Sequence, residues 1–170
     1  MNKSTSRKQM DKALREIFVS GLRQDGFKGT FPHIRRMTET RVELISFQYG
    51  RIGGTFAVNL GVCDLDGIIS FGRKIPAKKV RAFDVKCERL TPESPYDHWF
   101  VFADALSFSG ASDSFRQFSQ TITVFSKNSE DPYTEIAQIV LDLFKRKGTE
   151  QFDKLEQAIN LSHEAKPEVS

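Results

Sequence analysis

A chain of 170 residues with 39% hydrophobic and 28% charged content fits one domain with its own core, since single cores are usually built from roughly 100 to 200 residues. The net charge of +3 is concentrated at the start: Met1 to Lys12 holds four basic residues and one acidic, and residues 13–170 balance at 21 against 21. A neutral body gives no general reason to expect nucleic acid or an anionic membrane as partner.

No stretch reaches the roughly 18 uninterrupted apolar residues of a membrane helix, and Met1 to Gln9 is polar rather than a leader followed by an apolar run. Cys63 and Cys87 lack a CxxC spacing and read as buried free thiols, which points to a reducing, cytoplasmic setting. Residues 1–8 and 162–170 read as polar tails around one α+β domain, 9–161.

In chain order, Met10, Ala13, Leu14, Ile17, Phe18, Gly21 and Leu22 recur at three- and four-residue steps, which predicts an amphipathic helix closed by Gly26. Lys28 to Met37 is a strand run interrupted by Pro32, and Arg41 to Tyr49, apolar on both faces, reads as a central strand. After the Gly50 to Gly54 turn, Phe56, Val58, Leu60 and Val62 alternate with Thr55, Ala57, Asn59 and Gly61. That two-residue period gives a strand with one large-residue face and one small-residue face.

Asp64 to Ile75 reads as a loop with a short apolar run, Val80 to Leu90 as a strand, and Pro92 and Pro95 as punctuation. His98 to Leu106 and Gln120 to Phe125 are further strands. Asp131 is placed as an N-cap before Pro132, and Tyr133, Ile136, Ala137, Val140, Leu143 and Phe144 form a buried stripe. Gly148 is read as its stop, with Thr149 capping a shorter helix through Phe152, Leu155 and Ile159. The expected fold is therefore α+β: an antiparallel sheet of about five to six strands, with an N-terminal helix and C-terminal helices packed on one face.

The chemistry-bearing motifs are sparse. His33, His98 and His163 share no ligand spacing with each other or with the cysteines, so no metal site and no cofactor are expected. Asp64, Asp66 and Gly67 begin like a calcium loop, but Arg73 stands where the loop needs its glutamate, leaving an Asp-Gly turn as the reading. Gly50, Gly53 and Gly54 have no following Lys-Ser/Thr for a phosphate cradle, and no GxSxG elbow is present, so no catalytic residue is assigned.

Two binding candidates remain. Arg73, Lys74, Lys78, Lys79 and Arg81 place five positive charges in nine residues without a carboxylate, the best local case for phosphate contacts, although a solvated loop or charged edge strand is the commoner explanation of such a cluster. Gln48, Tyr49, Asn59, Arg89 and Trp99 are candidates to line a polar groove on the sheet. The plainer reading is that Gln48 and Asn59 satisfy buried backbone groups while Ala57 and Gly61 make room for a packed helix.

Gly26, Phe27 and Lys28 after the first helix, Phe47 and Gln48 at a strand end, Asn59 to Val62 in the next strand, Cys87 with Arg89 and Leu90, and Trp99 form a recognisable set. On these the sequence resembles the bacterial domain-of-unknown-function 4304 family, with Phe100 where that pattern often has a second Trp, and with residues 107–125 the least similar. The resemblance implies a fold class and no chemistry. The first functional expectation is a non-enzymatic protein-interaction module, an accessory or immunity-type protein with an unidentified protein partner. The second is a small-molecule or nucleotide-binding protein, or a cryptic enzyme, using the polar groove. A weaker third is nucleic-acid binding through residues 73–81; no membrane partner is expected.

Overall fold

The N-terminal stripe forms a helix of three parts: an α-helical segment Lys3–Ala13, a π-helical stretch Leu14–Val19 and an α-helical turn Ser20–Gln24. The computed structural model describes residues 3–51, 53–92, 98–102, 122–124 and 130–164. The helix starts well before residue 9, correcting the expected eight-residue tail. Ser6 is buried, and the Arg7 guanidinium stacks 4.1 Å from the Tyr49 ring centroid, so this basic segment is held by aromatic packing as well as by helix formation. The chain leaves the helix through the turn expected at Gly26. The Phe27 N–H donates to the Leu22 carbonyl and the Gly26 N–H to that of Arg23, with Gly26 at φ 86°, and Leu22 and Phe27 are both buried beneath the turn.

At the other end, Asp131 caps as expected, its Oδ1 accepting from the Thr134 N–H at 3.2 Å. The helix expected up to Gly148 and the shorter one expected after it are one helix, Pro132–Glu164, running through Gly148 and Thr149. Gly148 does not stop the helix because it serves packing: a Cβ there would lie 2.6 Å from the Phe144 ring, which occupies the space a side chain would need. The helix also passes residue 162, and only 165–170 of the expected tail lie outside the described residues. Gly21 plays a similar role between the two helices, where a Cβ would come within 2.8 Å of Leu141.

Between the helices the described residues form nine strands: β1 (Lys28–Thr30), β2 (His33–Met37), β3 (Val42–Tyr49), β4 (Thr55–Cys63), β5 (Ile68–Ser70), β6 (Arg73–Ile75), β7 (Cys87–Arg89), β8 (Trp99–Val101) and β9 (Ile122–Val124). The main sheet follows the order β1-β2-β3-β4-β8-β9, with β7 paired to β4 beside that path. Its pairs are antiparallel except β8 with β9, which are parallel. The class is thus the expected α+β, its principal path carrying six strands. Long β4 presents one edge to two short strands, pairing β7 along Asn59 to Gly61 and β8 along Thr55 and Phe56.

The alternation in β4 sorts its residues to two sides. Phe56, Val58, Leu60 and Val62 join Ile45 and Phe47 of β3 and the buried stripes of both helices in the main core. On the opposite face a smaller core contains Val42, Leu44, Cys63, Ala77, Val80 and Ala82. It is closed by the segment that follows β4, a two-stranded hairpin of β5 and β6 followed by 3₁₀ turns at Ala77–Lys79 and Ala82–Asp84. The strand expected over Val80 to Leu90 shortens to Cys87–Arg89, because Val80 and Ala82 are consumed in covering the sheet rather than extending it. Gly61 makes room as expected, but for this segment and not for a helix: its Cβ would lie 2.7 Å from Val85 and 3.3 Å from the Ala82 Cα. The expected strand over 98–106 is described to Phe102 and contains β8, and residues 122–124 of that over 120–125 form β9; the rest of both lies outside the described residues.

Candidate functional site

Antiparallel register decides which of the proposed groove residues meet. Gln48 pairs with Ala57, and Asn59 pairs with Ser46 on one side and Arg89 on the other, so Gln48, Asn59 and Arg89 share the face turned away from the helices. There Asn59 Nδ2 approaches Gln48 Oε1 at 3.4 Å and the Ser46 carbonyl at 3.4 Å, and an Arg89 guanidinium nitrogen reaches Gln48 Oε1 at 3.5 Å. These are long contacts that orient the groups loosely. The Arg89 guanidinium lies 4.2 Å from the centroid of the Trp99 ring, in stacking range. Asn59 is buried, while Gln48, Arg89 and Trp99 are half-buried. Four of the five residues therefore form one polar and aromatic patch.

Tyr49 does not join it. It pairs with Phe56 and faces the helices, where its hydroxyl donates to Asp11 Oδ1 and Arg7 covers its ring. Burial, reinforced by the Asp11 carboxylate, pushes its phenol well above the ordinary tyrosine value, so it acts as a neutral tie between sheet and helix.

The basic residues are divided between two elements. Arg73 and Lys74 lie on β6, Lys78 and Lys79 on the first 3₁₀ turn, and Arg81 just beyond it; all five are exposed. Asp64 and Asp66 lie in the tight turn expected for them. Gly67 at φ 95° donates to the Asp64 carbonyl, and its Cβ would fall 2.0 Å from the Ile75 carbonyl oxygen.

Two constellations had no signal in the sequence. His33 Nδ1 lies 2.9 Å from Ser46 Oγ, which also accepts from the Ala82 N–H at 3.3 Å. Burial, with Arg81 and Arg35 nearby, lowers the His33 pKa and favours the neutral ring, which shares one hydrogen bond with the Ser46 hydroxyl. The pair resembles a nucleophile and its base, but Ser46 is fully buried and no substrate carbonyl can reach its Oγ. Its role is to fasten the 3₁₀ segment to β3.

On the helix-facing side, buried Glu43 accepts from Arg36 Nε at 2.7 Å and from Arg41 at 2.9 Å, and Arg41 reaches Asp153 at 2.7 Å and Glu156 at 2.6 Å on the C-terminal helix. Burial opposes the Arg41 charge, but its hydrogen bonds to Asp153, Glu43 and Glu156 prevail and hold it above the ordinary arginine range. Every member is paired within the fold, so the network is a clamp. Cys63 is buried and its thiol is pushed up to about 11 by that burial, which leaves it unreactive at neutral pH. Among the described residues no three His, Cys, Asp or Glu side chains are grouped to hold a metal ion, and no helix is long and apolar enough to cross a membrane.

A helix-backed, largely antiparallel sheet carrying a polar patch on its other face defines an α+β domain. Its sequence matches the family described as "Domain of unknown function (DUF4304)" over residues 18–154, most of the chain, and the protein belongs to that family. No curated protein and no solved structure matches it.

Proposed function

We propose that the chain is a non-enzymatic protein-interaction module, an accessory or immunity-type bacterial protein of the cytoplasm, that grips a protein partner through the sheet face bearing Gln48, Asn59, Arg89 and Trp99. The observation that carries the reading is the stacked Arg89–Trp99 pair beside two side-chain amides on one sheet face. Tryptophan and arginine are enriched where interfaces concentrate their binding energy, and amides at the same spot supply directional hydrogen bonds. A second reading, a small-molecule or nucleotide-binding protein or cryptic enzyme, draws on the same convergence, because an amide pair with a guanidinium suits a polar planar ligand. Nucleic-acid binding through residues 73–81 is a third and weaker reading.

Quantitative affinity purification from native lysate, with mass spectrometry of proteins and retained small molecules, tests these readings against each other. The expected result is one stoichiometric protein partner that is lost with Trp99→Ala and weakened with Arg89→Ala, each variant first shown to be folded. A partner retained equally by both variants overturns the assigned face. A retained metabolite without a protein, lost with Asn59→Ala, moves the second reading to first place.

A further inference from the structure

The β5–β6 hairpin projects two bare apolar side chains. Ser70 pairs with Arg73, so Phe71 and Gly72 alone form the turn, at φ 49° and 73°, the two positive angles that a type I′ turn requires. Such turns favour asparagine, aspartate or glycine at the position Phe71 occupies, and a phenylalanine there is held in a backbone region bulky residues avoid. Its exposure is 103% and that of Ile69 is 80%, and a Cβ added at Gly72 would meet nothing within 4 Å, so the tip stands clear of the body. The hairpin's other side is anchored, with Ile68 and Ile75 packed against the smaller core.

The charge along the hairpin and the turn after it has one sign, with Asp66 and Asp84 flanking it in the chain. Residues 68–83 carry five positive charges and no carboxylate, all five exposed. The neutral net charge of residues 13–170 conceals this asymmetry. A convex apolar wedge framed by flexible cations matches a flat anionic apolar boundary: the wedge enters the acyl region while the cations stay among the headgroups. Single-stranded nucleic acid is served less well, because stacking platforms line a groove, and Ile69 beside Phe71 has no π face to offer a base.

We infer that the β5–β6 hairpin is a peripheral membrane-docking element that inserts Phe71 and Ile69 into an anionic lipid surface, with Arg73, Lys74, Lys78, Lys79 and Arg81 holding the headgroups. This surface is separate from the patch at Arg89 and Trp99 and does not rest on the function proposed there.

Co-sedimentation of the full chain with phosphatidylcholine vesicles, with and without about a third phosphatidylserine, tests the inference, since each cation near an anionic leaflet contributes about a fivefold gain in affinity. The expected result is binding to the phosphatidylserine vesicles only, weakened by salt. Phe71→Asn suits the turn better and keeps the fold, and it is expected to weaken binding about tenfold by removing the buried apolar area. The exposed pair Lys78→Glu and Lys79→Glu is expected to abolish it, and Trp99→Ala to leave it unchanged. Absence of binding to phosphatidylserine vesicles, or binding indifferent to Phe71→Asn, overturns the inference. So does tighter binding of a single-stranded oligonucleotide through the same residues, which assigns the hairpin to nucleic acid.

Discussion

The two faces of the sheet are built from different materials. Among the described residues the helix-facing core draws nine phenylalanines from strands, loops and helices, several in edge-to-face contact, such as Phe18 with Phe47 and Phe27 with Phe144. Among the described residues the cluster on the opposite face contains no phenylalanine and is assembled from valine, leucine, alanine and cysteine under a chain of hairpin and 3₁₀ turns. Aromatic burial supplies the larger share of apolar area, so stability should be concentrated on the first face. The second face carries the polar patch and the projecting hairpin, whose side chains are placed with less packing around them. A fold arranged this way can vary its exposed chemistry without loosening the core that holds the sheet.

The comparison can be broken by substitution. On the helix side, Phe56 is fully buried between Phe47, Tyr49, Phe100 and Phe102, and Phe56→Ala is expected to cost about 3–5 kcal/mol in urea unfolding. On the opposite side, Gly61→Ala drives a methyl into Val85 and the Ala82 backbone and is expected to cost about 1–3 kcal/mol, shifting the 3₁₀ segment and not the helices. Equal costs at the two positions would show that the faces share stability evenly.

The smallest effect is titration. Because the folded state lowers the His33 pKa below the ordinary 6.5, the unfolded chain binds the proton more tightly, so the stability His33 contributes is complete above that value. It declines as pH falls through 6.5 toward the lowered folded value, and His33→Asn should flatten this part of the stability-versus-pH curve. An unchanged slope in the variant would show that burial of the His33 ring does not shape this part of the curve.

Legibility followed periodicity. The N-terminal stripe, the central strand β3 and the alternation of β4 were readable because regular burial on a helix or strand imprints a period on the sequence. The 64–86 segment was not, since Ala77, Val80, Ala82 and Val85 cover the sheet at irregular spacing with no repeating direction. Gly148 misled because glycine's usual meaning at a helix end was overridden by the Phe144 ring above it. Of the groove candidates, Gln48, Asn59, Arg89 and Trp99 lie on one face, a convergence that strand order and register decide and that the sequence left open. Tyr49, adjacent to Gln48 in a strand, necessarily faces the other way, as the two-residue period of the pleat requires.

By itself the sequence determined the class of fold, the identity of the main core and the location of the charge, because these follow from local pattern and composition. Only the tertiary structure decided that Arg41, paired with Glu43, meets Asp153 and Glu156, which lie more than a hundred residues away in the chain. It alone also showed that Phe71 stands exposed at a hairpin tip. Both depend on strand register and on which segment covers which face, and those are settled by contacts between distant parts of the chain, where sequence neighbours exert no influence.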